Sequence, residues 1–365
     1  MHNFTDLQQF LDRTVQQLNV PAAFCVCSHN HRQIFSHTAG CDAEVVADST
    51  GKHFWIYSAT KIVTAVVAMQ MVQDGLLQLS APVSHYLPEY GQLSVRGQTK
   101  IECVQPLLVE HLLTMQGGFD YILTPPAVQQ LGPDATTRQV IKAYADKPLD
   151  FVPGSHFQYS LCLDILGGVL EAAAGMTLGS WMKQRIFDPL CMTHTGFSPS
   201  TECFAPQFRQ DPDGQIRQIE NENFCRVTAR YESGGGGLYS TIKDYCLFAN
   251  ALACGGTGVN GIQILQPEYL DMLRVNRLSG QSLQDFRRRY TRPGYGYGYG
   301  VRTALGSDIA QPQGTFGWDG AAGVHVLIDP SNQLSMVYFQ HVQDMEILYD
   351  HIFPQMDALL YSAFL

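Results

Sequence analysis

Apolar and polar residues alternate with a strand-like period at both ends of this chain and with a helix-like period in its middle. Four segments near the ends repeat every second residue and are predicted as strands: 22–28, 33–38, 324–330 and 334–340. A turn at Pro330-Ser331-Asn332 joins the last two into a hairpin. Helical periods flank the strands at about 3–19 and 346–362. We expect one antiparallel sheet built from both ends of the chain, with a helix beside each half.

The middle of the chain, about 58–285, repeats apolar residues every three to four positions, which predicts helices. Glycine and proline residues separate these stretches: 62–74, 107–115, 136–146, 161–174, 176–187, 241–253 and 267–274. The fold class is therefore α/β, or more closely α+β, with a large, mostly helical region inserted between the halves of an antiparallel sheet. We expect a single unit over 1–365, with a sheet lobe of 1–57 plus 290–365 and a helical lobe of 58–289. The cleft between the lobes is the expected place for a site.

Composition and charge exclude several classes of protein. With 365 residues, of which 45% are hydrophobic and 15% charged, the chain is an ordinary globular protein, neither disordered nor fibrous. Its net charge of −10 disfavours nucleic acid or an anionic membrane surface as a main partner. The Arg287-Arg288-Arg289 triplet is too short to change that conclusion and is expected in a solvated loop.

The N-terminus and the cysteines bear on location and cofactors. Residues 1–13 show an amphipathic helix pattern rather than a signal peptide, and the longest apolar run, Ile62 to Met71, is too short to span a bilayer. We expect a cytoplasmic, soluble protein, unless a leader has been removed. The ten cysteines occur singly among apolar residues and are expected to be buried free thiols. His and Cys show no zinc-like spacing, so we expect no structural zinc site.

Ser58 and Lys61 lie three residues apart, where an apolar run becomes a helix, so their side chains share one face. A serine hydroxyl is a weak nucleophile until a base takes its proton, and a desolvated lysine can be that base. Ser180 and Ser240 also precede a lysine by three residues. The first lies in an amphipathic helix pattern and the second is expected to be a helix N-cap. Only Ser58 precedes a helix too apolar to be exposed, although a plain N-cap role remains the alternative.

Two further segments could complete a site around Ser58. Tyr159 follows a Pro153-Gly154 turn and precedes a long apolar helix, and a phenol near a lysine can transfer a proton. The alternative is an amphipathic tyrosine at the edge of the core. The segment 316–323 is rich in small residues, and the Ala321 N–H together with the Ser58 N–H would form an oxyanion hole. The alternative there is an ordinary glycine-rich turn before a strand.

Two glycine-rich motifs do not support nucleotide binding. Residues 256–261 match G-x-G-x-x-G, but they follow a predicted helix and do not open another, so they are expected in a loop. Residues 295–300 alternate tyrosine with glycine, which fits a strand at the edge of a sheet. The Gly-x-Ser-x-Gly signature of Ser-His-Asp hydrolases does not occur in the sequence.

Taken in order, these segments resemble the β-lactamase/penicillin-binding-protein superfamily, in its class C β-lactamase and family VIII esterase branch. Ser58-Ala59-Thr60-Lys61 matches the nucleophile motif of that superfamily. Tyr159-Ser160-Leu161 stands where the family has Tyr-x-Asn, and Trp318-Asp319-Gly320 stands where it has Lys-Thr-Gly or His-x-Gly. The resemblance covers nearly the whole chain and implies a serine β-lactamase-like fold and a cofactor-free acyl-enzyme mechanism.

The departures from the family pattern indicate the type of substrate. Leu161 replaces the asparagine that in relatives helps to hold the lysine and the substrate amide. Trp318 replaces the cation that meets a substrate carboxylate, which removes an electrostatic anchor for penicillin-like or peptidyl substrates. A Trp-x-Gly triplet is common in family VIII esterases. The resemblance thus implies hydrolysis of uncharged carboxylic esters, with Ser58 as nucleophile and Lys61 and Tyr159 sharing the proton transfers.

The resemblance also implies a small-molecule ester or amide as partner. Residues expected to bind substrate are Leu161, Trp318, Asp319, Gly320, Tyr57 and Phe119. The aromatic ones, together with Tyr121, could form an acyl pocket or could equally be core residues. A β-lactamase, an amidase or peptidase, an acyltransferase and a catalytically degenerate binding protein remain alternatives. The oligomeric state and the identity of the formal base stay open.

Overall fold

The computed structural model describes residues 3–97, 105–198, 203–290, 293–306 and 309–365. Its strands are β1 (Ala23–His29), β2 (Arg32–Ala39), β3 (Phe54–Trp55), β4 (Gln207–Gln210), β5 (Ile216–Ile219), β6 (Tyr239–Ser240), β7 (Tyr295–Tyr297), β8 (Arg302–Ala304), β9 (Phe316–Gly320), β10 (Val324–Asp329), β11 (Leu334–Phe339) and β12 (Val342–Gln343). Its α-helices are α1 (Thr5–Gln17), α2 (Ala43–Ser49), α3 (Thr60–Gln73), α4 (Val109–Leu113), α5 (Pro126–Gln129), α6 (Thr137–Tyr144), α7 (Cys162–Ala174), α8 (Leu178–Met182), α9 (Ile242–Ala253), α10 (Pro267–Arg274), α11 (Gly280–Arg289) and α12 (Phe353–Phe364). A 3-10 turn, Tyr57–Ala59, directly precedes α3, and a π-helical turn, Leu348–Ile352, precedes α12.

Strands from both ends of the chain form one seven-stranded sheet, in the order β2-β1-β11-β10-β9-β8-β7. Each neighbouring pair is antiparallel. Strands β1 and β11 join the two halves, with Phe24 opposite Phe339. This arrangement confirms the predicted antiparallel sheet and its C-terminal hairpin. The tyrosine–glycine segment forms the edge strand β7, as its alternation predicted.

The period of two along the strands divides their side chains between two helical layers. Cys25, Cys27 and Tyr338 belong to an apolar cluster that includes residues of α1 and α12. Phe24 and Phe339 belong instead to the larger cluster that includes α3 and α9. The sheet is therefore covered by the terminal helices on one face and by the helical region on the other.

Helix α3 lies at the centre of the helical region and positions the turn before it. Its residues from Thr60 to Met71 are all buried. A helix that is apolar on every side is typical of a position inside the core. It contacts α7, α8, α10 and strand β9. The turn Tyr57–Ala59 is thus attached to one of the most enclosed elements of the protein.

Two local predictions are wrong. Arg287–Arg289 forms the last turn of α11 rather than a loop, because Ser282 and Phe286, one turn apart, are buried and hold this helix against the core. Thr241, not Ser240, caps α9, since its side chain accepts a backbone N–H of the first turn. The region predicted as mostly helical also contains the short strands β4 and β5, which pair with β12 in a separate three-stranded sheet.

The cysteines are free thiols but not uniformly buried. Cys103 lies outside the described residues. Four of the remaining cysteines are buried: Cys25, Cys27, Cys162 and Cys225. Three are exposed, which contradicts the expectation of general burial: Cys41, Cys191 and Cys203. A cysteine that has apolar neighbours in the sequence can still be exposed where the chain turns at the surface.

Within the described ranges, no single helix is both long and apolar enough to cross a membrane. Helix α7 and the following segment Leu178–Phe187 are together long and apolar enough for a membrane span, but the two parts are bent by 74°. In the same part of the chain, no group of three or more His, Cys, Asp or Glu side chains is placed to hold a metal ion.

Candidate active site

The hydroxyl of Ser58 lies between a lysine and a tyrosine. Its Oγ is 3.2 Å from Lys61 Nζ and accepts a hydrogen bond of 2.7 Å from the Tyr159 hydroxyl. Ser58 is partly exposed, whereas Lys61 is 0% exposed. Tyr159 lies in the loop before α7, as the sequence predicted. The side chain of Ser58 thus contacts the two predicted proton-transfer groups.

Lys61 Nζ has three hydrogen-bond acceptors. Besides Ser58 Oγ, it donates to the Gly235 carbonyl at 2.5 Å and to the Tyr121 hydroxyl at 3.4 Å. An ammonium group has three protons to donate, so these contacts satisfy it fully. Burial of a charged lysine in an apolar helix is tolerated only where such partners exist.

A glycine loop connects Lys61 to a buried carboxylate. Asp164 Oδ1 accepts hydrogen bonds from Tyr231 at 2.7 Å, Ser233 at 2.5 Å and the Gly235 N–H at 3.3 Å. A Cβ atom at Gly235 would lie 2.2 Å from Asp164 Oδ2, so only glycine allows this approach. Gly235 therefore binds the carboxylate through its N–H and the ammonium through its carbonyl. Asp164 was not among the predicted site residues.

Three aromatic rings stack beside the nucleophile. The Tyr121 and Tyr159 ring centroids are 5.2 Å apart with planes 8° from parallel, and Trp318 stacks on the other side of Tyr159 at 5.5 Å. Lys61 Nζ lies 4.7 Å from the Tyr159 centroid and 5.5 Å from that of Tyr121. Trp318 Nε1 is 3.4 Å from the Tyr159 hydroxyl. The stack fixes the orientation of the phenol that faces Ser58.

Tyr121 is a site residue that the sequence analysis missed, since it was considered only for an acyl pocket. Burial, followed by the neighbouring Tyr159, raises the pKa of Tyr121 well above its usual value, so the phenol stays protonated. The only signal available in the sequence was an aromatic cluster directly after Gly117-Gly118.

A cavity of about 900 Å³ opens at Ser58. Its lining includes Tyr159 and the strand-end residues Trp318 to Ala321, together with Tyr290 at the end of α11. A second wall, here called the hairpin wall, consists of lining residues between 209 and 214 in the β4–β5 hairpin and between 344 and 350 after β12. The cavity therefore lies where the seven-stranded sheet, α11 and the small sheet meet.

The predicted oxyanion residue Ala321 lies at the end of β9. The segment Phe316–Gly320 is itself a strand inside the sheet, not a turn before one, and Ala321 opens the short connection to β10. A Cβ atom at Gly320 would lie 2.2 Å from the Ile56 carbonyl oxygen, so glycine lets β9 approach the nucleophile segment closely. Ser58 and Ala321 both line the cavity, as an oxyanion hole requires.

Asp319 belongs to a buried charge network. Its carboxylate accepts hydrogen bonds from Arg302 at 2.7 Å and lies 2.6 Å from His325 Nδ1, whose Nε2 is 2.8 Å from Asp357. Burial lowers the pKa of His325, but Asp357 and Asp319 outweigh it, so that pKa is raised. Asp319 lines the cavity, yet its carboxylate is already occupied by these partners.

Three residues expected to bind substrate do not line the cavity. Tyr57 is 0% exposed, Leu161 is 2% exposed and Phe119 is 5% exposed. Phe119 packs edge-on against Tyr90, with ring centroids 6.1 Å apart. Leu161 belongs to the main core, so the residue in the family's asparagine position does not reach the site as a lining group. Trp318, Asp319 and Gly320 do line the cavity.

Comparisons with known proteins identify relatives of this chain in sequence and in fold. The family model described as Beta-lactamase matches residues 7–347. Protein Rv1367c from Mycobacterium tuberculosis is 30% identical over 332 residues, covering 80% of this chain and 79% of that protein. Esterase EstB from Burkholderia gladioli is 30% identical over 309 residues, covering 78% and 76%. The solved structure of EstCE1, described as a hydrolase with promiscuous acyltransferase activity, has a TM-score of 0.81 at 23% identity and 98% coverage of both chains; this likeness concerns the fold.

Proposed function

Because this chain belongs to the beta-lactamase family, whose members include esterases, acyltransferases and peptidase-like proteins, we propose that it hydrolyses uncharged carboxylic esters through an acyl-enzyme. The observation that carries the proposal is the contact of one hydroxyl, Ser58 Oγ, with both Tyr159 and Lys61 at hydrogen-bonding distance. A serine so placed has the neighbours that its activation requires.

The proposed mechanism has two steps. In the reactive form the Lys61–Tyr159 pair has already released one proton to solvent and holds either a neutral amine or a phenolate. In the first step, Ser58 Oγ then attacks the ester carbonyl while its proton passes to that pair. The Ser58 and Ala321 N–H groups stabilise the oxyanion, and the alcohol leaves with a proton from the same pair. In the second step, water attacks the acyl-enzyme, the pair takes the proton of the water, and the carboxylic acid leaves as Ser58 regains its own.

The cavity wall formed by β8 and β9 supports uncharged esters as substrates. Trp318 occupies the strand position where relatives have a cation, and it faces Tyr159 rather than offering a charge. The guanidinium of Arg302, next to it in the cavity lining, is paired with Asp319. Both groups of that ion pair are nearly buried, at 8% and 11% side-chain exposure, so the cation has little surface left for a substrate carboxylate. Two curated relatives are named as esterases.

The proposal is tested by comparing Ser58→Ala with the wild type on p-nitrophenyl butyrate and a fluorophosphonate probe. We expect loss of turnover and of the adduct, with mass spectrometry placing the wild-type adduct on Ser58. Ser180→Ala is the matched control, because this exposed serine also precedes a lysine by three residues. Turnover that survives Ser58→Ala contradicts the proposal. Faster turnover of nitrocefin or of a D-amino-acid amide than of esters would instead favour a β-lactamase or an amidase.

A second candidate, acyl transfer to an alcohol, is favoured by the size of the cavity. A volume of about 900 Å³ leaves room for an acceptor beside a short acyl group. Relatives named as acyltransferases are 25% and 26% identical to this chain. We expect part of the acyl group of p-nitrophenyl butyrate to appear as a new ester when an alcohol is added. If only butyrate forms at every alcohol concentration, the enzyme is a hydrolase alone.

A further inference from the structure

The residue before the nucleophile has an unusual backbone conformation. Tyr57 has φ of +44°, in the left-handed region that a bulky residue seldom adopts. Such a conformation persists only when the surrounding structure holds it, and it often marks a functional site. Because the Tyr57 carbonyl and the Ser58 N–H share one peptide unit, this conformation sets the direction of a predicted oxyanion donor and of the Ser58 side chain.

The hydroxyl of Tyr57 is held from three sides. It accepts hydrogen bonds from Gln207 Nε2 at 2.5 Å and Gln343 Nε2 at 2.7 Å, and it donates to the Glu222 carbonyl at 3.1 Å. A phenol has one proton and two acceptor sites, so its capacity is fully used. Gln207 and Gln343 are 0% and 4% exposed, which excludes water as an alternative partner.

The two glutamines belong to the small three-stranded sheet. Gln207 begins β4 and Gln343 ends β12, and these strands pair in parallel. The residues that follow each of them, from Arg209 and from Asp344 onward, form the hairpin wall of the cavity. One phenolic hydroxyl therefore joins the turn that contains Ser58 to the sheet that forms the hairpin wall.

We infer that Tyr57 is a positioning residue, whose buried hydroxyl fixes the left-handed turn before Ser58 to β4 and β12 and thereby orients the nucleophile relative to the hairpin wall. The inference rests on the proposed role of Ser58 as nucleophile. Tyr57 itself does not touch the cavity, so its effect reaches substrate through the Ser58 peptide unit. A displacement of about 1 Å at a reacting atom can slow a reaction about 100-fold.

Tyr57→Phe tests this role, because it keeps the ring and removes only the hydroxyl. The measurement is the second-order rate constant for labelling of Ser58 by a small fluorophosphonate, together with kcat and KM for p-nitrophenyl butyrate. We expect labelling and kcat to fall about 10- to 100-fold, with KM within about threefold. Tyr90→Phe is the matched control, since this 3% exposed tyrosine also donates its hydroxyl to a backbone carbonyl, that of Ile141, at 2.7 Å. We expect the control to label at the wild-type rate.

Gln207→Met separates positioning from stability. Gln207 Nε2 binds Tyr57, while its Oε1 is buried without a hydrogen-bond partner among the described residues. Replacement by methionine, which has nearly the same volume, removes the bond to Tyr57 and an unpartnered oxygen together. We expect the melting temperature to stay equal or rise while the labelling rate falls about 3- to 10-fold. A residue that only stabilised the fold would not produce opposite changes.

The variants together decide the inference. In the double variant Tyr57→Phe/Gln207→Met we expect labelling no slower than in Tyr57→Phe alone, because both changes remove the same hydrogen bond between Tyr57 and Gln207. Wild-type labelling rates in Gln207→Met overturn the inference, even if Tyr57→Phe fails to fold. They leave the proposed function standing, which fails separately if Ser58→Ala retains turnover or labelling.

Discussion

At the scale of single residues, the buried lysine is the group that most of the site residues contact. Lys61 is 0% exposed, and its ammonium is satisfied by Ser58, Gly235 and Tyr121. Leu161 occupies the place of an asparagine that, in the family this chain resembles, helps to hold the lysine. In the structure a phenol from a different loop supplies the missing contact.

The Tyr121 hydroxyl is expected to matter for turnover more than for folding. In Tyr121→Phe, Lys61 loses one of its three acceptors, and we expect kcat on p-nitrophenyl butyrate to fall about 10-fold, the effect of about 1.4 kcal/mol. Tyr144→Phe is the control, since its hydroxyl donates to the Leu123 carbonyl at 2.8 Å in the same loop without touching Lys61. We expect the control to retain kcat within about twofold. If kcat falls equally in both variants, the effect comes from disturbance of the loop and not from the lost hydrogen bond between Lys61 and Tyr121.

At the scale of elements, the site depends on how closely β9 approaches the segment before α3. Strand β9 has neighbours on both sides in the sheet, so its position is fixed along its length. Gly320, at its end, is where the strand meets the Ile56 carbonyl. The approach brings Ala321 and Ser58 to the same cavity.

We expect Gly320→Ala to separate these elements. Its new Cβ would lie 2.2 Å from the Ile56 carbonyl oxygen, a backbone atom that cannot rotate away, and overpacking of this kind costs about 1–3 kcal/mol of unfolding free energy. Because the oxyanion donors move apart, we expect kcat/KM to fall more than about 10-fold. Gly132→Ala is the matched control, since its Cβ would meet nothing within 4 Å. Wild-type kinetics in Gly320→Ala would show that β9 tolerates displacement.

At the scale of the whole molecule, two buried groups make stability depend on pH in opposite directions. Burial, with the charge of Glu232, raises the pKa of Glu171 to about 7, so this carboxyl weakens the fold as pH rises from about 4.5 through 7. Burial lowers the pKa of His341 to about 4. The Nε2 atom of its neutral ring accepts a hydrogen bond from the backbone N–H of Trp55, and its Nδ1 atom lies 3.1 Å from the Pro206 carbonyl oxygen. Protonation therefore weakens the fold as pH falls from about 6.5 through 4.

Glu171 lowers the stability of the fold as pH rises and His341 lowers it as pH falls. Because these two effects oppose each other in the wild type, each is measured in a single variant. We expect Glu171→Gln to melt at the wild-type temperature near pH 4.5 and to be more stable by about 1–3 kcal/mol above pH 7. For His341→Asn, which suits the backbone φ of +60°, we expect the stability relative to wild type to improve steadily as pH falls from 6.5 to 4. Thermal melts across pH 4–8 measure both. If the difference in stability between a variant and the wild type stays constant across this pH range, the replaced residue does not cause the pH dependence.

Much of the fold was predictable because it depends on local periodicity. The strands at 324–329 and 334–339, and the helix from Thr60 to Gln73, agree with the predicted segments within a few residues. The small sheet was not predictable, since β4 and β5 have four residues each and β12 only two, too short for any pattern. The α11 helix was obscured by its three arginines, because a charge run is typical of both a loop and an exposed helix face.

The sequence by itself determined the order of the motifs, and with it the family resemblance, an antiparallel sheet built from both ends of the chain, and the candidate pair of Ser58 and Lys61, because these depend on local pattern and on three-residue spacing. Only the tertiary structure decided which side chains complete the site. Tyr121, Asp164 and Gln343 lie 63 to 285 residues from Ser58 in the chain, and no periodicity relates such distant positions. Tyr57, adjacent to the nucleophile, was expected to face the substrate; the burial of its ring and the three partners of its hydroxyl place it behind the site.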